Sequence, residues 1–335
     1  MTEGSNRVIS FWSGLALVVI AFLPGCKEPQ EAVDVYLDAV MLREMGQDEL
    51  AAEKLKTAIE IDPGFVQAYS ELGKAYQGLG RHEEAVAALR TATKLDRGSF
   101  EDHLNLAKSY QQLSRFPAAA RTYARAAELD PNSVDALIGA ARCYLEAGDS
   151  VRALTYCEAA KQTEQEPQRV LPLLARIHEA QKDYEQAIRA YRRWLALEPD
   201  NVEALLALGL AHMKAGQYDR AREVLARLAQ QQPCDGRAFR HLGYCLIKLE
   251  RIGQAIEMYQ RAIEIDGEDW EAHRGMGVAY MVQSRRAGDS RLEARALQHW
   301  RRSLAIRPDQ PGRETLEKLI REHSQATNPL RGLDY

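Results

Sequence analysis

Cysteine is scarce, at five residues in 335, and none of the five stands in a CxxC, a haem-attachment CxxCH or a zinc-ligand spacing. Haem and structural zinc are therefore not expected. Charge of one sign is lacking as well: 44 Lys and Arg against 48 Asp and Glu leave a net charge of −4, without the basic footprint that nucleic-acid binding requires. No apolar run reaches the ~20 residues of a membrane-spanning helix, and the run from Val8 to Leu23 stops short of it. Motifs of chemistry are missing too, with no GxxxxGKS/T, GxSxG or HExxH in the chain. The sequence assigns no catalytic residue, no metal, no cofactor and no small-molecule substrate, so a non-enzymatic role is expected.

What the chain has in abundance is periodicity. Ala51, Ala85, Ala119, Ala153, Ala187, Ala221 and Ala255 fall 34 residues apart, and Ala296 follows after seven extra residues. A fixed period of this length marks a stacked array of small units, each touching only its neighbours. A composition of 46% hydrophobic and 27% charged residues suits a folded protein of that kind. A second small column, Ala39, Gly73, Ala107, Ala141, Ala175, Gly209, Gly243 and Gly277, predicts two helices per unit that cross closely where small meets small. Around Gly73, the residues Tyr69, Leu72 and Tyr76 complete the spacing of one buried helical face. Leu55, Leu89, Tyr123, Tyr191, Leu225, Tyr259 and Trp300 fill the matching place on the second helices.

Punctuation agrees with this reading. Gly46, Gly80, Gly148 and Gly216 fall between first and second helices, where a residue tolerant of positive φ ends a helix cheaply. Pro63, Pro131, Pro199, Pro233 and Pro308 then separate one unit from the next. This pattern resembles the tetratricopeptide repeat over residues 32–308, as eight units starting near 32, 66, 100, 134, 168, 202, 236 and 270. The resemblance implies an all-α solenoid, a right-handed superhelix whose first helices line a concave groove that binds peptide segments of other proteins.

The ends depart from the pattern. Asp38 replaces an apolar residue, as expected where one face of a terminal unit meets water. The seven extra residues, around Ser284 to Ser290, are expected to lengthen both helices of the last unit about Gly288 and Asp289, with Ser290 and Glu293 forming a capping box. Residues 309–325 should hold a capping helix with Leu316, Leu319 and Ile320 on its inner face, and 326–335 a loose tail.

The first 25 residues read differently. Arg7 precedes the apolar run, which ends in Leu23-Pro24-Gly25-Cys26 and resembles the signal and lipobox of bacterial lipoproteins. That resemblance implies removal of residues 1–25, lipid on Cys26 and a short tether over 26–31. It also implies a periplasm-facing place on an envelope membrane, with Lys27 after the lipid cysteine favouring the outer one. An uncleaved membrane anchor and a chance apolar start are the alternatives.

Side chains that suggest chemistry fall into packing columns. His103 and His273 share the column of Tyr69, and His178 and His212 that of Tyr110, so they read as structural substitutes. Cys143 and Cys157 read as buried thiols, with a bridge between them open in an oxidising compartment. More informative is the first-helix position just past the small column: Val40, Lys74, Lys108, Arg142, Arg176, Leu210, Tyr244 and Val278. Lys74, Lys108, Arg142 and Arg176 form a basic row. Leu210, Tyr244 and Val278 form an apolar patch, widened by Leu206, Met213, Ile247 and Met281 about one turn away. Glu101 and Asp135, two turns before Lys108 and Arg142, would partly neutralise the row.

Exposed ion pairs contribute about 0.2–1 kcal/mol each, while a micromolar complex requires about 8 kcal/mol. The apolar half would have to supply most of any affinity. The reading is a membrane-tethered, non-catalytic scaffold in the bacterial envelope, binding protein segments that carry acidic residues and an apolar anchor. A self-associating structural component and an accessory subunit of an envelope enzyme complex are the alternatives.

Overall fold

The computed structural model of the protein describes residues 27–163 and 166–326. Cys26, the apolar run before it and the tail beyond residue 326 lie outside the described residues. Among the described residues there are seventeen α-helices, in two compact units that divide between Arg97 and Gly98. The first unit holds α1 (Lys27–Glu44), α2 (Asp48–Ile61), α3 (Val66–Gly78) and α4 (His82–Leu95). In the second unit α5 (Phe100–Gln112), α6 (Phe116–Leu129), α7 (Val134–Glu146), α8 (Ser150–Gln162), α9 (Pro167–Ala180) and α10 (Tyr184–Leu197) come first. There follow α11 (Val202–Lys214), α12 (Tyr218–Gln231), α13 (Gly236–Lys248), α14 (Ile252–Ile265), α15 (Trp270–Ala287), α16 (Ser290–Ile306) and α17 (Arg313–Ala326). Within each unit the second helix of a hairpin packs on the first helix of the next, as α2 does on α3 and α12 on α13.

Residues 27–31, expected as a tether, are instead the opening of α1. The segment holds nothing that stops a helix there, because proline in a first turn removes an N–H that has no intrahelical acceptor in any case. None of the described helices is long and apolar enough to cross a membrane.

The eight periodic alanines are all 0% exposed, which is what lets the two helices of each hairpin approach. The partner of the small column differs from the expectation of small against small. A Cβ on Gly73, Gly209 or Gly277 would lie 2.3, 2.7 and 2.3 Å from atoms of Leu89, Leu225 and Trp300, the large residues one turn beyond the alanines. The glycine is a socket for that side chain. Tyr259 uses two such sockets, Gly243 in its own hairpin and Gly275 in the next, while Tyr123 sits against Gly139 of the following hairpin.

Backbone turns follow the columns even where the residue type does not. Gly46, Gly80, Gly148 and Gly216 take φ of +74°, +70°, +82° and +74°. The matching place in the other hairpins is held by Ser114, Lys182 and Glu250 at φ 55°, 61° and 60°. First helices in the second unit other than α9 open on side-chain caps, at Ser99, Ser133, Asn201, Asp235 and Asp269, each supplying an acceptor to an N–H that the helix leaves unpaired.

The last hairpin is longer, with 18 and 17 residues in α15 and α16 against 13 and 14 in α13 and α14. Its second helix is capped by Asp289, whose carboxylate accepts from the Arg291 N–H, and not by Ser290, which is already helical. The chain leaves Gly288 in the left-handed region at φ 67°, so the helix starts one residue earlier than the capping box required. Glu293 is thereby free to pair with His323 of α17 at 2.6 Å. Leu316 of α17 is buried in one cluster with Leu297 and Trp300, and Leu319 and Ile320 pack against it.

The histidines and thiols are part of this packing. His212 is completely buried, with Nδ1 2.7 Å from Gln217 Oε1, and His273 is buried beside His299. Cys143, Cys157 and Cys245 are buried and free, so Cys143 and Cys157 are not bridged, and Cys234 is exposed. Burial pushes the Cys143 and Cys157 thiols up to about 11 and about 12, which keeps them protonated and unreactive near neutrality.

Candidate functional site

The expected site residues lie on first helices, and the structure separates them into distinct environments. Lys74 belongs to the first unit, where it pairs with Glu71 at 3.0 Å, and the same carboxylate meets Arg43 at 2.6 Å. In the second unit Arg176 is joined to Glu146 at 3.0 Å. Lys108 and Arg142 differ. Both are exposed, neither forms an ion pair among the described residues, and both line one open cavity of about 360 Å³ between α5 and α7. Asp135, expected to neutralise Arg142, is engaged by Arg169 of α9 at 2.8 Å, because the guanidinium reaches it across the hairpin stack. The cavity also presents Gln111 and Gln112, and the Tyr123 hydroxyl donates to Gln111 Oε1 at 2.8 Å. Burial raises the Tyr123 pKa, so it remains a neutral phenol. Two cations unpaired among the described residues thus lie beside two amide side chains, chemistry that suits an anionic group.

Four of the seven residues expected in the apolar patch share one cavity. Met213, Tyr244, Ile247 and Val278 line a second open cavity of about 460 Å³, and Tyr244 and Val278 are left 41% and 38% exposed, a size and chemistry suited to one large side chain. Leu206 and Leu210 lie outside that lining. Leu206 is half-buried against the core of α11 to α13, and Leu210 is half-buried one turn on. Met281 is a correction: it is 6% exposed and packs in the terminal core with Leu297, Trp300 and Leu316. The lengthened α16 lies along the lengthened α15 and closes over this position.

Polar residues that the periodic reading passed over complete this cavity. Arg240, His241, Glu271 and Arg274 are among its walls, with Trp270. Arg240 is held by Asp269 at 2.8 Å and Glu271 at 3.0 Å, and Arg274 donates to the Pro311 carbonyl at 2.6 Å. Their signal was present, since Arg240 and Arg274 occupy the column of Leu206 at intervals of 34 residues. Burial, with the nearby Arg240 charge, pushes His241 down to about 4. The imidazole is therefore neutral at pH 7.

Helical hairpins stacked on a 34-residue period, with first helices lining two open cavities, define an all-α repeat solenoid. The chain belongs to the tetratricopeptide repeat family. Models described as tetratricopeptide or TPR repeats match residues 39–80, 66–99, 104–167, 179–242 and 237–269. No curated protein sequence matches the chain.

Among solved structures, a tetratricopeptide repeat protein from Parabacteroides merdae is 14% identical with a TM-score of 0.51, covering 75% of this chain and 99% of that one. The Cut9–Hcn1 hetero-tetramer of the APC/C is 16% identical with a TM-score of 0.50, covering 89% of this chain and 57% of that one. YrrB, described as a TPR protein with an unusual peptide-binding site, is 22% identical with a TM-score of 0.48, covering 56% and 96%. The first two likenesses show the fold. Tetratricopeptide repeat proteins bind peptides and other proteins and are typically non-catalytic, and this fold suggests a protein–protein interaction scaffold.

Proposed function

We propose that this protein is a non-catalytic scaffold whose second unit seats a partner segment by two features, an acidic group against Lys108 and Arg142 and a large apolar side chain in the cavity of Tyr244 and Val278. One observation carries the reading: Lys108 and Arg142 are exposed on a cavity and unpaired among the described residues, whereas Lys74 and Arg176 are already in ion pairs. Two exposed charge contacts would supply only about 0.4–2 kcal/mol, so the apolar anchor gives most of the affinity. The Leu-Pro-Gly-Cys motif supports lipidation at Cys26 and a place on the periplasmic side of a bacterial envelope membrane, with the outer membrane favoured by Lys27. Since α1 starts at Lys27, a lipidated Cys26 would bring the first unit close to that membrane.

A displayed peptide library selected on the purified protein tests the groove. Segments combining acidic residues with an aromatic or long aliphatic residue are expected, and K108E/R142E should weaken them at least tenfold. Selected segments without acids, or affinities untouched by that variant, would sink the reading. Incorporation of a labelled fatty acid in a bacterial host should vanish in Cys26→Ser, and persistent labelling refutes the anchor.

A further inference from the structure

The outward face of α1 stands apart from the groove. Leu37, Met41 and Met45 follow one another at intervals of four residues and are 49%, 59% and 65% exposed. Residues at the place of Met41 in later first helices, Ala75, Cys143, Ile177, Ala211, Cys245 and Ala279, are all 0% exposed. Within each unit that face is closed by the second helix of the preceding hairpin, as α2 closes α3 and α8 closes α9. No described helix precedes α1. Its face therefore has the shape of a socket for one more helix, and its residues are larger and more exposed than a solvated end requires.

The charges select the occupant. Asp34 and Asp38 stand where later units carry residues such as Ala204 and Leu208, both buried, and Glu44 lies on the same exposed side. Lys54 approaches Asp38 at 3.8 Å in an exposed pair, while Arg43 is turned to Glu71 at 2.6 Å. The face is thus an apolar stripe bordered by Asp38 and Glu44, with Asp34 in line with it one to two turns before Leu37 and Met41. A second copy would set acid against acid, and an anionic bilayer would be repelled. We infer that α1 is a second docking surface, separate from the groove, which takes a basic amphipathic helix of a partner protein in the place of a preceding second helix. Its apolar residues meet Leu37 and Met41, and its lysines or arginines meet Asp34, Asp38 and Glu44.

The probe is a fluorescent 18-residue helical peptide of leucine on one face and lysine on the other, compared with the same peptide carrying glutamate for lysine. Binding to the full chain is followed by anisotropy, with circular-dichroism melting to confirm that each variant folds. The lysine peptide should bind, L37S/M41S should weaken it at least tenfold, and D34K/D38K should invert the preference so that the glutamate peptide binds better. K108E/R142E should leave it unchanged. The inference is overturned if the lysine peptide ignores the α1 variants, if it is lost with K108E/R142E, or if D34K/D38K fails to invert the preference. It is equally overturned if M41S instead abolishes self-association or binding to anionic vesicles by the wild-type protein.

Discussion

Ser114, Lys182 and Glu250 hold the left-handed backbone that glycine takes in the other hairpins. A Cβ in that conformation costs on the order of 1 kcal/mol, partly offset because glycine also loosens the unfolded chain. Ser114→Gly and Lys182→Gly should each stabilise by about 0.5 kcal/mol, read as a higher urea midpoint. Glu250→Gly should gain less, since it forfeits the exposed pair with Arg286 at 2.9 Å. A lower midpoint for the first two would show that these turns are not strained. Lys108 and Arg142 were legible in the sequence because they share one column. Arg169 and His241 were not, since what brings them to a cavity is the packing of one hairpin on the next, which a column read along a single helix face does not contain. Met281 was misread for a related reason: the register supposes that every first helix is covered alike, and the lengthened last hairpin closes over this one further.

At the scale of the element, helix number, order and most boundaries follow from the alanine, glycine and proline columns, because each acts within its own unit. Caps were less legible. Asp289 and Ser290 are adjacent and both are good capping residues, so only the backbone at Gly288 decides between them. Asp289→Ala should cost about 1 kcal/mol and raise hydrogen exchange in the first turn of α16, whereas Ser290→Ala should change neither. The opposite ranking would restore Ser290 as the cap. The start of α1 was hidden by Pro29, which breaks a helix interior but not a first turn.

Across the molecule, stability in a repeat array is a sum of units and their contacts, so a local titration loosens part of the stack. Burial pushes His241 and His299 down to about 4, with Arg240 adding to the first and His273 to the second, and lowers His178 and His212 as well. Unfolded histidine titrates near 6.5, so the unfolded chain takes up these protons first. The stabilisation is complete above about pH 6.5 and is lost progressively down to about pH 4. Melting temperature should fall across that interval, with amide exchange rising in α13 to α16 before α5 to α8. H241N/H299N should flatten the fall, and an unchanged slope would assign the acid sensitivity to carboxylates elsewhere.

The sockets under Tyr123 and Tyr259 bear on how such a chain can evolve. Tyr123 faces Gly139 and Tyr259 faces Gly275 across hairpin boundaries; at the same two columns Cys157 corresponds to Leu173 and Tyr191 to Ala207, again large with small, whereas Leu55, Leu89 and Leu225 correspond to Glu71, Asn105 and His241. At those four junctions, hairpins that look interchangeable by their alanines therefore differ in the volume they offer their successor. Duplicating, deleting or transplanting a hairpin would put Tyr123 against Leu173, or Cys157 against Ala207, overfilling one junction or hollowing another at a cost of about 1–3 kcal/mol. The serial order of the hairpins is written in these junctions, so the chain can drift residue by residue far more easily than it can be rearranged.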